Sequence, residues 1–364
     1  MSAHTSTPLP VVLVGAGTRA RQIYGPLLTG PMATQLKLVA IASRSEDRAR
    51  SLAEELGVPW SLSLEEAATD YGARGAIACV SSPDNHTVAH RILDLELPAL
   101  LETPLALELG DARQLAQRIA QSDVPVEVAE QNPRFPREAF WRRIIEEGFL
   151  GEPRLLTSNR AGYRYHATAV ARGLLGRPRG QRAVGMRAVF PLDLGRGQQV
   201  STVHAGTITT DSNAVFQLTD GEGLHVPASP WLRGGWSVLC DGGSLVEPDR
   251  VQVHSSGVNK HLPVERVTRS IDGVEVTQTY RLHGSLLLES PSALPDAPLD
   301  DDAQAVARCL QDWLARIDGK PTSTGWSAQD GFDDLAWITS LERSALLGGT
   351  ALRIDALETE PQGS

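Results

Sequence analysis

The chain has 364 residues, 41% of them hydrophobic and 21% charged, with a formal net charge of −10. That length suits two domains better than a single core, and the negative charge argues against a general nucleic-acid surface. No apolar run approaches the ~18 residues of a membrane span. The opening MSAHTSTPLP has neither the basic nor the apolar region of a signal peptide, and Cys79, Cys240 and Cys309 are scattered as buried, reduced thiols would be. A cytoplasmic protein is the expectation.

The first ~130 residues alternate strand and helix signals, the pattern of a doubly wound parallel sheet. Val11 to Val14 is an unbroken apolar run, as a strand covered on both faces should be. It stops at Gly15-Ala16-Gly17, and Ala20 completes G-x-G-x-x-A before a helix-like stretch, Arg21 to Leu28. In such a loop the first glycine allows a tight turn, the second lets a pyrophosphate approach the backbone, and the third small residue permits close helix–strand packing. The N–H groups of the helix start then face the phosphates. Gly15, Gly17, Thr18, Arg19 and Ala20 are therefore candidate cofactor-binding residues.

A second strand signal, Leu36 to Arg44, lies roughly 20 residues beyond the glycines. An NAD site should carry an acid at its end, but this run ends Ser43-Arg44. A hydroxyl and a guanidinium suit a 2′-phosphate that a carboxylate would repel. The expected cofactor is NADP, with NAD as the alternative; a solvated Arg44 is the reading in which neither residue matters. Further signals follow: helix Glu46 to Leu56, strand Ala76 to Ser81, helix His86 to Leu95, strand Pro98 to Leu101, helix Gly110 to Gln121 and strand Val124 to Ala129.

From Arg137 the pattern changes. A helix to Glu147 precedes runs at Arg154 to Asn159, Met186 to Leu192, Val200 to Thr209, Ala214 to Leu218, Trp236 to Cys240, Val251 to His254 and Gly273 to Arg281. Such runs, divided by turn-rich pieces, predict an α+β domain with a large, mostly antiparallel open sheet. Helices near 301–316 and 331–347 close it. The expected division is 1–136 for dinucleotide binding, 137–350 for substrate binding and oligomerisation, and a tail at 351–364, with the late helices able to pack back on the first domain.

Six ordered segments together resemble the Gfo/Idh/MocA family of glucose–fructose oxidoreductase, inositol dehydrogenase and rhizopine catabolism. They are GAGTRA; Ser81-Ser82-Pro83-Asp84-Asn85-His86; Leu101-Glu102-Thr103-Pro104; Asn132-Pro133-Arg134-Phe135-Pro136 followed by IEEGFLGE; GYRYHATAVARGLLG from Gly162 to Gly176; and DLAWITSLERSALLGG. The resemblance implies NAD(P) in the first domain, a small sugar- or polyol-like substrate against the second sheet, and hydride transfer between nicotinamide and a C–OH or C=O. It implies a homodimer or homotetramer joined through the outer face of that sheet. It also places Ser81, Ser82, Pro83, Asn85, His86, Glu102, Thr103 and Asn132 beside the cofactor, Arg134 near nicotinamide or substrate, and His166 in the active site.

The chain departs from the family at its proton-handling lysine, which is Thr103 here; lysine occurs only at 37, 260 and 320. The Asp or Lys four residues before the histidine is Gly162. His166 is then the expected acid–base group, since imidazole titrates near neutral pH, with Tyr163 as a possible relay and Thr103 positioning the substrate oxygen. Tyr163 and Tyr165 could instead simply wall the pocket, and Arg172 could meet an anionic substrate group or lie at the surface. No H-E-x-x-H, C-x-x-C or carboxylate cluster suggests a metal. Three functions stay open at this point: an NADP(H)-dependent oxidoreductase, a redox-neutral lyase or hydrolase that uses tightly held NAD(P), and a nucleotide-binding scaffold or sensor without turnover.

Overall fold

The computed structural model describes residues 7–159, 164–193, 198–221, 235–246, 250–255, 257–283, 288–322 and 324–355. They fall into two units. The first comprises Met1–Arg134, Arg269–Val276 and Ser292–Phe332; the second comprises Phe135–Thr268, Thr277–Pro291 and Asp333–Ser364. The chain therefore returns to the first unit twice after leaving it.

In the first unit β1 (Leu9–Val14) leads through a helical turn at Ala20–Tyr24 into α1 (Gly25–Thr29), then β2 (Leu36–Ala42), α2 (Glu46–Leu56), β3 (Trp60–Ser61) and α3 (Leu64–Asp70). There follow β4 (Ala76–Ala78), α4 (Ser82–Asp94), β5 (Ala99–Leu101), α5 (Leu109–Ala120) and β6 (Val126–Val128). The six strands are ordered β3-β2-β1-β4-β5-β6 and pair in parallel. This is the doubly wound order, and its switch point lies between β1 and β4, where the chain leaves for opposite sides of the sheet. Val11, Val12 and Leu13 are wholly buried, as the unbroken apolar run predicts.

The expected helix after the glycines differs in winding. Ala20–Tyr24 is a π turn in which the Gly25 N–H reaches back to the Ala20 carbonyl, and α1 begins only at Gly25. Pro26 has no N–H with which to continue an α ladder through this point.

In the second unit α6 (Pro136–Glu146), β7 (Pro153–Ser158) and α7 (Arg164–Leu174) precede a long meander. It runs through β8 (Gly180–Asp193), β9 (Gln198–Thr210), β10 (Val215–Gly221), β11 (Trp236–Cys240), β12 (Gly243–Val246), β13 (Arg250–Ser255), β14 (Val258–Ile271), β15 (Val274–Leu282) and β16 (Leu288–Pro291). With β17 (Leu352–Arg353) these make an eleven-stranded sheet, β16-β15-β14-β13-β12-β11-β7-β10-β9-β8-β17. Most neighbours are antiparallel, but β7 and β10 run parallel. The inner face buries Leu156, Ile208, Phe216, Leu218 and Val238.

Two late helices, α8 (Asp301–Ile317) and α9 (Ala328–Leu346), complete the fold. The Asp300 carboxylate caps α8 by accepting the Ala303 N–H at 2.9 Å. The buried face of α8, Val306, Leu310 and Trp313, joins Leu13, Ile77 and Leu100 in the core of the first unit. Among the described residues no helix is long and apolar enough to cross a membrane.

Candidate functional site

Gly15 ends β1 at φ +112°, and a Cβ there would lie 2.0 Å from the Cys79 carbonyl oxygen. Only glycine fits, because both the conformation and the approach of the residue after β4 exclude a side chain. The turn is held by the Gly15 N–H on the Ala42 carbonyl and the Cys79 N–H on the Val14 carbonyl, each at 2.7 Å. Gly17 is different: a Cβ there would meet no protein atom within 4 Å. It opens onto a cavity of about 420 Å³ at the C-terminal edge of the parallel strands.

The walls of that cavity include Gly15, Ala16, Gly17, Thr18 and Arg19 from the first turn, and Ser43, Arg44, Ser45 and Arg48 after β2. Leu62, Leu64, Val88 and Arg91 line it too, with Ser81, Asp84, Glu102 and Thr103. The glycine turn, the N–H groups of the helix start, hydroxyls and guanidiniums form a donor set that suits a dinucleotide pyrophosphate, and a side chain at Gly17 would fill the cradle. Asp84, Thr87, Val88 and Arg91 share one face of α4 at helical spacing. Arg91 forks onto Glu65 of α3 at 2.9 and 2.6 Å, and this hydrogen bonding pulls the Glu65 carboxyl down to about 2 despite slight desolvation.

Glu102, 7% exposed, sits at the centre of the other end. It accepts from Arg19 Nε at 2.6 Å and from the Tyr24 hydroxyl at 2.8 Å, while Arg19 Nη1 also reaches Asp302 at 3.3 Å. Burial disfavours the Arg19 charge, yet the Glu102 carboxylate overrides it and holds the guanidinium above its ordinary range. Desolvation, then Glu102, push the Tyr24 phenol upward, so it stays a neutral donor. The buried Asn85 amide donates to the carbonyls of Glu102 and Pro104, the latter at 2.8 Å, and so braces the turn that presents Thr103 to the cavity.

Other sequence candidates lie elsewhere. Ala20 is buried behind the turn, and Ser82, Pro83, Asn85, His86 and Asn132 are not among the cavity-lining residues. His86 Nε2 lies 3.9 Å from the Asp111 carboxylate of α5. Arg134 is enclosed in the first unit: its guanidinium binds Glu127 and, at 3.0 Å, Asp312, and donates to the Val128 and Glu130 carbonyls. Its side chain has no exposed surface.

The second unit carries the remaining candidates on α7, where residues from Ala167 to Leu174 are buried and Arg164, Tyr165 and His166 are half-buried. Arg164 ties this first turn to Asp220 of β10 at 3.5 Å and Glu342 of α9 at 2.7 Å. The Tyr165 and His166 rings lie 4.3 Å apart at 52°. Tyr163 and Gly162 lie outside the described residues. Arg172, 1% exposed, is sealed by Asp333 and Asp334, both at 2.8 Å. Arg134 and Arg172 thus serve internal ion-pair networks, and neither is carried into a substrate site.

Cys79, Cys240 and Cys309 are buried and unpaired. Desolvation raises all three thiols, Cys240 to about 11 and Cys309 to about 12, which leaves them unreactive at neutral pH. No group of three or more His, Cys, Asp or Glu gathers to hold a metal ion among the described residues.

Residues 9–130 match the family model for the Gfo/Idh/MocA oxidoreductase family, NAD-binding Rossmann fold. No curated protein matches in sequence. Solved structures share the fold along nearly the whole chain. An oxidoreductase from Agrobacterium radiobacter in complex with NAD+, L-tartaric acid and magnesium is 17% identical, covers 96% of this chain and 100% of its own, and has a TM-score of 0.72. A scyllo-inositol dehydrogenase from Lactobacillus casei is 13% identical over 96% and 99% of the two chains, at 0.69. An NAD-binding oxidoreductase from Klebsiella pneumoniae is 14% identical over 95% and 99%, also at 0.69. The glycine turn, its cavity and the strand order agree with that match: residues 9–130 form a dinucleotide-binding Rossmann domain similar to that of the Gfo/Idh/MocA oxidoreductase family.

Proposed function

We propose that the protein is an NADP(H)-dependent oxidoreductase for a small, polar, sugar- or polyol-like molecule, exchanging hydride between nicotinamide and a carbonyl, alcohol or imine. The carrying observation is the first-unit cavity, where an open glycine cradle meets Ser43, Arg44, Ser45 and Arg48, a stretch after β2 that contributes no acid to the cavity lining. Gly15 to Arg19 would hold the pyrophosphate, and Ser43 with Arg44 the 2′-phosphate. Bound nicotinamide supplies the hydride chemistry. Thr103 positions a substrate oxygen through its hydroxyl, and the Arg19–Glu102–Tyr24 cluster keeps that turn in place. His166, half-buried at the first turn of α7, exchanges the proton. The dehydrogenase of scyllo-inositol among the structural neighbours supports the polyol class.

The test mixes protein and NADPH with polyhydroxylated ketones and aldehydes and follows nicotinamide absorbance near ~340 nm. Loss of absorbance that His166→Ala strongly reduces, at unchanged NADPH affinity, is expected. Tight NADPH binding with product formation but no net absorbance change would replace this reading with redox-neutral chemistry.

We further propose a homo-oligomer formed through the outer face of the second sheet. Strand register places Val184, Thr207, Gln217, Thr157, Ser237 and Val246 in one row across six strands, opposite the buried face. Val184, Met186, Leu239 and Val246 are exposed there, an apolar set that favours covering. Sedimentation of the wild type against Met186→Glu tests this, with a shift toward monomer expected.

A further inference from the structure

One charge pair stands where α4 faces the end of β2 across the cavity. Asp84 lies in the first turn of α4, and its Oδ2 accepts from Ser81 Oγ at 2.5 Å and from Arg44 Nη2 at 2.6 Å. The Asp84 N–H also donates to the Ser81 carbonyl at 2.9 Å, so a local turn fixes the carboxylate. Arg44 is far freer: 78% of its side chain is exposed, and its guanidinium reaches across from the other side of the switch point. The Ser81 hydrogen bond, aided by Arg44, keeps the Asp84 carboxyl below its ordinary range, hence ionised at neutral pH. The residues after β2 that line the cavity, Ser43, Arg44, Ser45 and Arg48, include no carboxylate, and Glu46 and Asp47, in the first turn of α2, are not part of that lining. The acid that faces this end of the cavity comes instead from α4, and it engages the guanidinium suited to a phosphate.

We propose that Asp84 is a specificity-determining residue that competes with a cofactor 2′-phosphate for Arg44 and so limits how strongly the protein prefers NADP(H) over NAD(H). This rests on the assignment of Arg44 to the 2′-phosphate. With NAD(H) nothing competes, and the Arg44–Asp84 pair persists. With NADP(H) the guanidinium must leave Asp84, at the cost of that pair. An exposed pair is weak while a phosphate can take a guanidinium through two N–H groups, so the exchange goes forward at reduced net gain. Arg91 offers no ready substitute because Glu65 already occupies it.

The experiment measures dissociation constants of NADPH and NADH by fluorescence titration for the wild type, Asp84→Asn, Arg44→Ala and the double variant. Thermal melts of each confirm folding. Asp84→Asn is expected to raise the NADPH-over-NADH affinity ratio about fivefold, the upper end for an exposed ion pair. In the Arg44→Ala background the same change should move the ratio less than twofold. A shift under twofold in the Asp84→Asn single variant overturns the proposal. So does an equal rise with and without Arg44, which would mean direct repulsion of the phosphate. If Arg44→Ala alone leaves NADPH affinity unchanged, the assignment of Arg44 fails, and this competition fails with it.

Discussion

Gly15 and Gly17 stand two residues apart in one motif, yet substitution should damage different properties. At Gly15 an alanine must adopt φ +112° and place its Cβ 2.0 Å from the Cys79 carbonyl oxygen. The conformation alone costs roughly 1–3 kcal/mol, and relieving a backbone clash adds to that. A loss of about 3 kcal/mol in a unit of this size lowers the melting midpoint by roughly 6–12 °C. At Gly17 the alanine Cβ meets no protein atom within 4 Å, so stability should change by less than about 0.5 kcal/mol. The methyl group instead occupies the cradle. Displacing a phosphate from one charged hydrogen bond costs roughly 1.5–3 kcal/mol, or about 10- to 150-fold in affinity. Calorimetric melts, run beside NADPH titrations, separate the two effects. Gly17→Ala protein that melts like the wild type and binds NADPH equally well would refute the placement of the pyrophosphate.

Arg134→Met should lower stability by about 3–5 kcal/mol, because Glu127 and Asp312 lose a buried partner. An unchanged melt with a raised KM would instead return Arg134 to substrate binding. His166→Ala should cut turnover at least about 100-fold, in line with loss of an acid–base group, while NADPH affinity holds; equal turnover removes His166 from the chemistry. Glu65 has a carboxyl depressed to about 2, so its pairing with Arg91 stabilises the fold above the ordinary carboxylate range and fades as pH falls toward about 2. Both side chains are more than a third exposed, so the contribution is below about 1 kcal/mol. Melting midpoints of wild type and Glu65→Gln should differ slightly at pH ~6 and converge as pH approaches ~2; a gap that widens on acidification contradicts the pairing.

Parallel strands buried on both faces announce themselves as apolar runs, so β1, β2, β4, β5 and β6 could be read from sequence together with the glycine turn. β3, with two residues, and α3, with seven, are too short for any periodic signal. β14 hid for another reason. Most of its fourteen residues are exposed, and Pro263 interrupts it, so neither alternation nor an apolar run marks it. At the site, residues adjacent to the motif could be found, whereas the cavity face of α4 was missed although Asp84, Thr87, Val88 and Arg91 show helical spacing. Arg134 and Arg172 were misleading because an arginine suited to an anionic ligand suits a buried carboxylate equally well. Their partners, Asp312 and Asp334, lie more than 150 positions away in sequence.

The central claim is that this chain turns over a polar carbonyl or alcohol with a nicotinamide held in the first-unit cavity. Stopped-flow absorbance near ~340 nm, with protein in excess of NADPH and a panel of ketoses and ketopolyols, tests it most directly. Oxidation of the bound cofactor by at least one member of the panel is expected, with the signal lost in His166→Ala. Stable NADPH absorbance across the panel, with NADP+ and the matching alcohols equally inert, would contradict it.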